Sequence, residues 1–395
     1  MSDDFIFTSE SVTRGHPDKL CDQVSDAIVD YFLRHDPHAG VVAECAVASG
    51  VLFISCHYAS KAGLAIQDVA RRVIAGIGYS RDVFDADACT IMTSFVDHSE
   101  DDYRELDLEA MTDDDIDAIA VTDQATVFGF ACDQTEALMP LPIWLAHRLA
   151  MALDDPAIKQ AIPGLLPDAK TQVGIEYIDG TPKRPYSIGL VTSQADYQHP
   201  RLDDLRQALL EQVVTPLLDE VQMRPDDASH IFINPHGPII GGGPAAHSGL
   251  TGRKTGIDSY GEYARHSGAA LSGKDPMRID RVGAYAARWA AKNVVAAGLA
   301  SECEVQLSYA IGIAGPVSLR VRTFGTGTIE EAEIARRLQH NFDFRIAAIV
   351  RDLALRQLPA VHRDGFYQRL ACYGQMGRTD LDVTWERTDR MDALR

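Results

Sequence analysis

Apolar and polar positions recur along this chain with two different periods, and the changes of period mark its elements. After Lys19, residues Leu20, Val24, Ala27, Ile28, Tyr31 and Phe32 fall at helical spacing and give one face to a core. The stretch "GVVAECAVASGVLFISCHYAS" reads instead as two strands around Ser49-Gly50, rich in Val, Ile and Phe. If the second strand is regular, Phe53, Ser55 and His57 share one face. A helix over "AIQDVARRVIAGIGY" and a strand over "ACTIMTSF" follow. This is an α/β order with hairpins, not a helical bundle.

From Asp97 to Asp117 the pattern dissolves into the acidic "DHSEDDYRELDLEAMTDDDID", which reads as a solvated mobile loop. A loop this long in a compact domain serves as a lid or a linker. A second α/β stretch then runs from about Val121 to Pro235, with a helix at "PLPIWLAHRLAMALDD" and strands near "TQVGIEYI" and "YSIGLVTSQ". The third begins at "IFINPHGPIIGGGPAAHSGLTGRK" and contains the helix "DRVGAYAARWAAKNVVAAG" and the strand "EVQLSYAIGI". The expected division is 1–103, an acidic loop 104–120, 121–235, and 236–395 with its glycine-rich segment. No internal sequence repeat is visible.

Bulk properties narrow the classes. With 395 residues, 46% of them hydrophobic, the chain can bury a sizeable core in two or three domains. A formal charge of -20 removes any global cationic field for nucleic acid or an anionic membrane. The start "MSDDFIFTSES" lacks the basic and apolar regions of a signal peptide, and no segment is apolar enough to span a bilayer. Seven cysteines without a CxxC pair suit reduced thiols. A cytoplasmic protein is expected.

Two places concentrate chemistry. "GHPDK" sets His16, Asp18 and Lys19 at the mouth of the first helix. Taken alone, His16 reads as a capping or buried histidine, and Asp18 as a charge complementing the helix dipole. Between Gly237 and Arg281 many glycines accompany seven cations: Arg253, Lys254, Arg265, His266, Lys274, Arg278 and Arg281. "GAALSGKD" falls short of a P-loop, because Asp275 stands where a Ser or Thr must bind magnesium and no buried strand precedes it. The grouped cations still favour an anion site in so acidic a protein.

"GHPDK", "MP.PI" (Met139 to Ile143), "DAK.QV" (Asp168 to Val173), "FINP.G", "GLTGRK", "SGKDP" and "AYAAR..AKN.VAAGL" occur in this order. Together they resemble methionine adenosyltransferase, also called S-adenosylmethionine synthetase, from about Thr8 to Thr388. The resemblance implies an α/β (α+β) fold of three interleaved β-α-β-type domains in pseudo-threefold arrangement. It also implies a homodimer or homotetramer with active sites between subunits. In the implied reaction the methionine sulfur attacks C5′ of ATP and displaces triphosphate, which is hydrolysed to diphosphate and phosphate. By motif match, His16 meets the leaving oxygen. Lys170, Arg253, Lys254 and Lys274 hold phosphates; Asp18 and Asp280 hold two Mg2+ ions; Glu44 sits at a K+ site. Asp123 and Asp168 match positions that contact the nucleoside.

The departures from the family pattern gather in the amino-acid pocket. His57 and His247 stand where the family has a glutamate and an aspartate that hold the substrate ammonium. His98 replaces a glutamine, Arg278 a lysine, and Ile239 a phenylalanine over adenine; "GDQG" becomes "TDQA" (Thr122 to Ala125). Imidazoles pair poorly with an ammonium. The expected function, which the family resemblance keeps in front despite this pocket, is S-adenosylmethionine synthesis from ATP and L-methionine. The alternatives are the same chemistry on an analogue lacking the α-ammonium or carrying an extra acid group, and a non-catalytic nucleotide-binding relative. A zinc site built from His57, His98 and His247 requires that the three converge.

Overall fold

Strands from distant stretches of the chain meet in three sheets. The computed structural model describes residues 4–100, 102–198 and 200–395. Met1–Asp3, Asp101 of the acidic stretch and His199 lie outside the described residues. In the first sheet, β1 (Phe5–Val12) pairs antiparallel with β6 (Leu165–Ile178), and β6 with β7 (Thr181–Gln194). β8 (His230–Ile233) and β9 (Ile239–Ile240) add parallel to β7. The second sheet has the order β10 (Gly249–Leu250), β2 (Gly40–Ala48), β3 (Val51–Ala59) and β4 (Thr90–Asp97). The third joins β12 (Ser318–Arg322), β11 (Glu302–Tyr309) and β5 (Ala125–Cys132). Each sheet thus combines segments from different thirds of the chain, as the resemblance implied.

Ser49, at φ 51°, turns β2 into β3, and the predicted shared face of Phe53, Ser55 and His57 points away from the core while Leu52, Ile54 and Cys56 are buried. Helix α1 (Pro17–His35) and α2 (Ile66–Ile77) cover the inner face of this sheet, and α1 is buried over most of its length. The acidic stretch departs from the expected free loop. Thr112 and Asp115 form a capping box for the short helix α3 (Asp113–Asp117), whose Ile116 is buried. Arg345 ties it down through Asp113 (2.8 Å) and Asp117 (3.0 Å). α4 (Leu141–Asp154) packs on the first sheet, and the long α5 (Ile279–Ala296) packs on the third.

Sequence reading missed a ladder on α1. Asp18, Asp22, Asp26 and Asp30 recur every fourth residue and are all buried. Each carboxylate accepts backbone N–H groups from a remote segment: Leu250, Gly252, Gly273, and Tyr367 with Gln368, in that order. The signal was the four-residue period of acids on an otherwise core-facing helix, where a solvated acid would be out of place.

Candidate active site

The structure sorts the motif residues into two groups, both carried by α1 and β2. The first gathers at the start of α1. His16 caps this helix: its Nδ1 accepts from the Asp18 N–H at 3.2 Å. With Nδ1 accepting, the neutral ring carries its proton on Nε2. Neutral it is: burial first, then His247, Lys254, Lys170 and Lys19, lower its pKa to about 2. Asp18 Oδ1 accepts from Leu250 N–H at 3.0 Å, and the carboxylate faces Arg253 Nε at 3.7 Å and Lys254 Nζ at 3.5 Å. Gly249 makes this approach feasible, since a Cβ there would fall on the Pro17 carbonyl.

Asp168 enters the same group from a register shift in β6, where an irregular ladder re-aims a side chain. It is buried, accepts from Gly243 N–H at 2.7 Å, and lies 3.1 Å from His247 Nε2. His16 and His247 hold their rings 4.9 Å apart, and ligand atoms of His16, Asp168 and His247 all lie within 4.8 Å of one another. The lysines that keep His16 neutral also oppose a bare cation there and favour a polyanion. Ile239, on β9, lies beside β7, whose Ser193 donates to the Asp168 carbonyl at 2.7 Å.

The second group sits farther along β2. Gly273, at φ 81°, presses against the Ala43 carbonyl, where no Cβ fits, and Lys274 bridges to Val42. Lys274 Nζ meets Asp280 Oδ2 at 2.6 Å at the start of α5. Arg278 Nε lies 3.4 Å from Asp275, which holds the Val41 N–H at 2.8 Å. Glu44 is exposed on the outer face of β2, as is His57 on β3, opposite Val42. His57 Nδ1 and His98 Nε2 are 3.4 Å apart with their rings stacked at 5.7 Å and 16°. Asp123 is exposed, and its carboxylate accepts from the N–H of Gln124 at 2.9 Å. The Ala46–Leu250 and Val42–Lys274 pairings lie four residues apart on β2, roughly 13 Å of strand.

Two expectations are corrected, and the condition set for a zinc site is answered. Lys19 does not face the site: it is fully buried against Asp22 (2.9 Å) and Asp258, and although burial alone would lower its pKa, these two carboxylates raise it above the ordinary lysine value. The seven cations do not form one anion site. Arg281 is buried on Asp26 (2.7 Å), Arg265 pairs with Glu304, and the others divide between the two groups or lie apart. The three substituted histidines do not converge within one chain either: His57 pairs with His98, whereas His247 sits with His16 and Asp168.

Comparison with known proteins gives this arrangement its context. The chain matches the S-adenosylmethionine synthetase N-terminal domain over residues 4–100, the central domain over 118–239 and the C-terminal domain over 240–387. A protein of Gloeothece citriformis named S-adenosylmethionine synthase is 44% identical over 99% of this chain and 96% of its own. Proteins of that name from Trichodesmium erythraeum (42%, covering 100% and 97%) and a Synechococcus strain (45%, covering 99% and 97%) are similarly close. This chain belongs to the S-adenosylmethionine synthetase family.

Proposed function

We propose that the protein is a methionine adenosyltransferase, forming S-adenosylmethionine from ATP and L-methionine with release of phosphate and diphosphate. The observation that carries this reading is the buried His16 at the start of α1, within 4.8 Å of Asp168 and His247, with Lys170 and Lys254 near enough to act on its ring and Arg253 and Lys254 facing the neighbouring Asp18. The sulfur lone pair forms the bond to C5′ as the C5′–O bond breaks, and the electron pair leaves on the triphosphate. His16 donates a hydrogen bond to that oxygen, while Lys170, Arg253, Lys254 and Lys274 neutralise the departing chain. Asp168 and Asp123 orient the nucleoside, Ile239 covers the base, and His57, His98, His247 and Arg278 surround the thioether substrate.

The donor chemistry around Asp18 fits a hard cation. Its oxygens are charged, buried and engaged by Arg253 and Lys254 only beyond hydrogen-bonding distance. Asp280 offers a further carboxylate oxygen beside Lys274, and Glu44 an exposed one. Bound Mg2+, two ions per site through Asp18 and Asp280, and K+ at Glu44 would supply charge neutralisation for the triphosphate. In the Asp18→Asn variant the magnesium concentration giving half-maximal rate should rise, because an amide is a poorer partner for a hard dication. A magnesium titration of initial rate that superimposes on wild type removes Asp18 from the metal site.

A homodimer, alone or within a homotetramer, completes the site in this reading. The outer face of the second sheet exposes Val51, Phe53, Met92, Val96 and Leu250, between 37% and 54% each. Contiguous apolar surface of this kind marks an interface. Two copies facing each other in opposite senses would set the α1 group of one against the Lys274–Asp280 group of the other. The division into 1–103, 104–120, 121–235 and 236–395 belongs to the same proposal. So does a cytoplasmic location, supported by seven free cysteines. No described helix is long and apolar enough to cross a membrane.

The stacked His57–His98 pair, near which Asp102 is the carboxylate found among the described residues, 3.9 Å from His98 Nδ1, favours a second reading in which the substrate lacks an ammonium. Incubation with ATP, Mg2+, K+ and a panel of thioethers separates the two. Mass spectrometry should find the methionine sulfonium in excess of that from 3-methylthiopropionate. The reverse order establishes the second reading, and absence of any sulfonium overturns both.

A further inference from the structure

Away from both groups, a cleft of about 1260 Å³ opens between the first sheet, α4 and the third sheet. None of the residues assigned to adenosyl transfer lines it. Its floor and walls are aromatic, with Phe5, Phe7, Trp144, Tyr263 and Phe324 all reaching the cleft. Around these rings stand five carboxylates: Asp133, Glu136, Asp179, Glu220 and Glu302. Among the described residues lining the cleft the one cation is Arg148. Aromatic faces ringed by negative charge form the recognition chemistry for a weakly hydrated positive centre.

The protein already shows that chemistry at work. Arg148 lays its guanidinium over the Trp144 ring, 4.8 Å from the centroid, and pairs through two parallel hydrogen bonds with Glu220 at 2.8 and 2.7 Å. A delocalised cation is thus held between a ring and a carboxylate at the cleft wall. Tyr263, half-buried, is fixed by Gln134 at 2.8 Å, so its ring is positioned in advance. The exposed Phe324 stands at φ 56°, a conformation that a bulky residue seldom adopts, and its ring likewise carries a guanidinium, that of Arg322 at 4.8 Å.

We infer that this cleft is a second binding site, for a small organic cation bearing an alkylated ammonium or sulfonium centre. The ligand places its cationic head over Tyr263, the Trp144 ring being already covered by Arg148, with Asp133 and Glu136 supplying the counter-charge. An apolar ligand would gain nothing from the carboxylates, and a metal ion would gain nothing from the rings. The site is independent of the reaction assigned above.

The test uses the whole protein with choline and trimethylsulfonium as probes and 3,3-dimethyl-1-butanol as the uncharged isostere of choline, followed by saturation-transfer NMR and tryptophan fluorescence. Trp144 is the reporter, since Trp289 and Trp385 are buried. Both cations should bind saturably, at least about fivefold more tightly than the alcohol. The probe that saturates at the lower concentration identifies the preferred onium centre. The exposed double change Asp133→Asn with Glu136→Gln should weaken both cations by about threefold or more and leave the alcohol unaffected. Equal binding of the alcohol, absence of saturable binding, or cation binding indifferent to the double change overturns the site.

Discussion

Asparagine in place of His16 slows sulfonium formation by about 100- to 1,000-fold, as expected for loss of one donor aimed at a developing oxyanion. The substitution separates two roles of one residue. His16 caps α1 through Nδ1, which leaves Nε2–H as the donor in the proposed reaction. Asparagine is itself among the best caps, so the helix start and the fold persist. What is lost is the reach and aim of the imidazole N–H. Because burial and the neighbouring cations keep the ring neutral, with a pKa of about 2, its donation does not depend on protonation within the working pH range. Single-turnover measurement of adenosyl transfer, with circular dichroism to verify the fold, decides the matter. A rate within a few-fold of wild type assigns His16 to capping alone.

The second large effect is a recovery. His16→Asn and Lys274→Ala each remove one of the two groups, so each pure variant should be nearly inactive. If sites form between copies, a mixed dimer contains one site with both defects and one with neither. Random assembly of equal amounts should then restore about a quarter of wild-type activity in the unfractionated mixture, and the purified mixed dimer should show about half. Co-expression with two different affinity tags, purification of the mixed species and assay of its rate measure this directly. Should the mixed species stay as inactive as its parents, each site is built within one chain, and the apolar face of the second sheet serves another purpose. The companion change Phe53→Asp, placed on that face, should leave monomers by light scattering and abolish turnover.

Much of this arrangement was legible in the sequence because it is local. The helix after Lys19, the hairpin at Ser49-Gly50 and the face that His57 shares with Phe53 and Ser55 follow from period and turn chemistry over a few residues. The pairing of Lys274 with Asp280, within six positions, was not read, because the resemblance gave the two residues to phosphate and to metal separately. The hidden parts depend on partners far away in the chain. Lys19 reads as an active-site ammonium beside His16, yet its destination is Asp258 in the core. Arg281 reads as one of a cationic cluster until Asp26 is seen to face it. The same holds for the acidic stretch, whose charge pattern conceals Arg345 as its anchor. Composition describes a charge but not what neutralises it.

The ladder of acids along α1 has a genetic consequence. Asp18 and Asp22 brace the segment carrying Arg253 and Lys254, while Asp26 braces the segment carrying Lys274. If sites are shared, a single α1 contributes to two reaction chambers in opposite directions. A lesion that tilts this helix would spoil both chambers of a mixed pair, unlike His16→Asn, which spoils one. Such an allele behaves as dominant: in a cell making equal amounts of damaged and normal chains, only about a quarter of the pairs escape it. Core substitutions under α1 would then be more harmful in the heterozygous state than loss of a residue that touches the substrate.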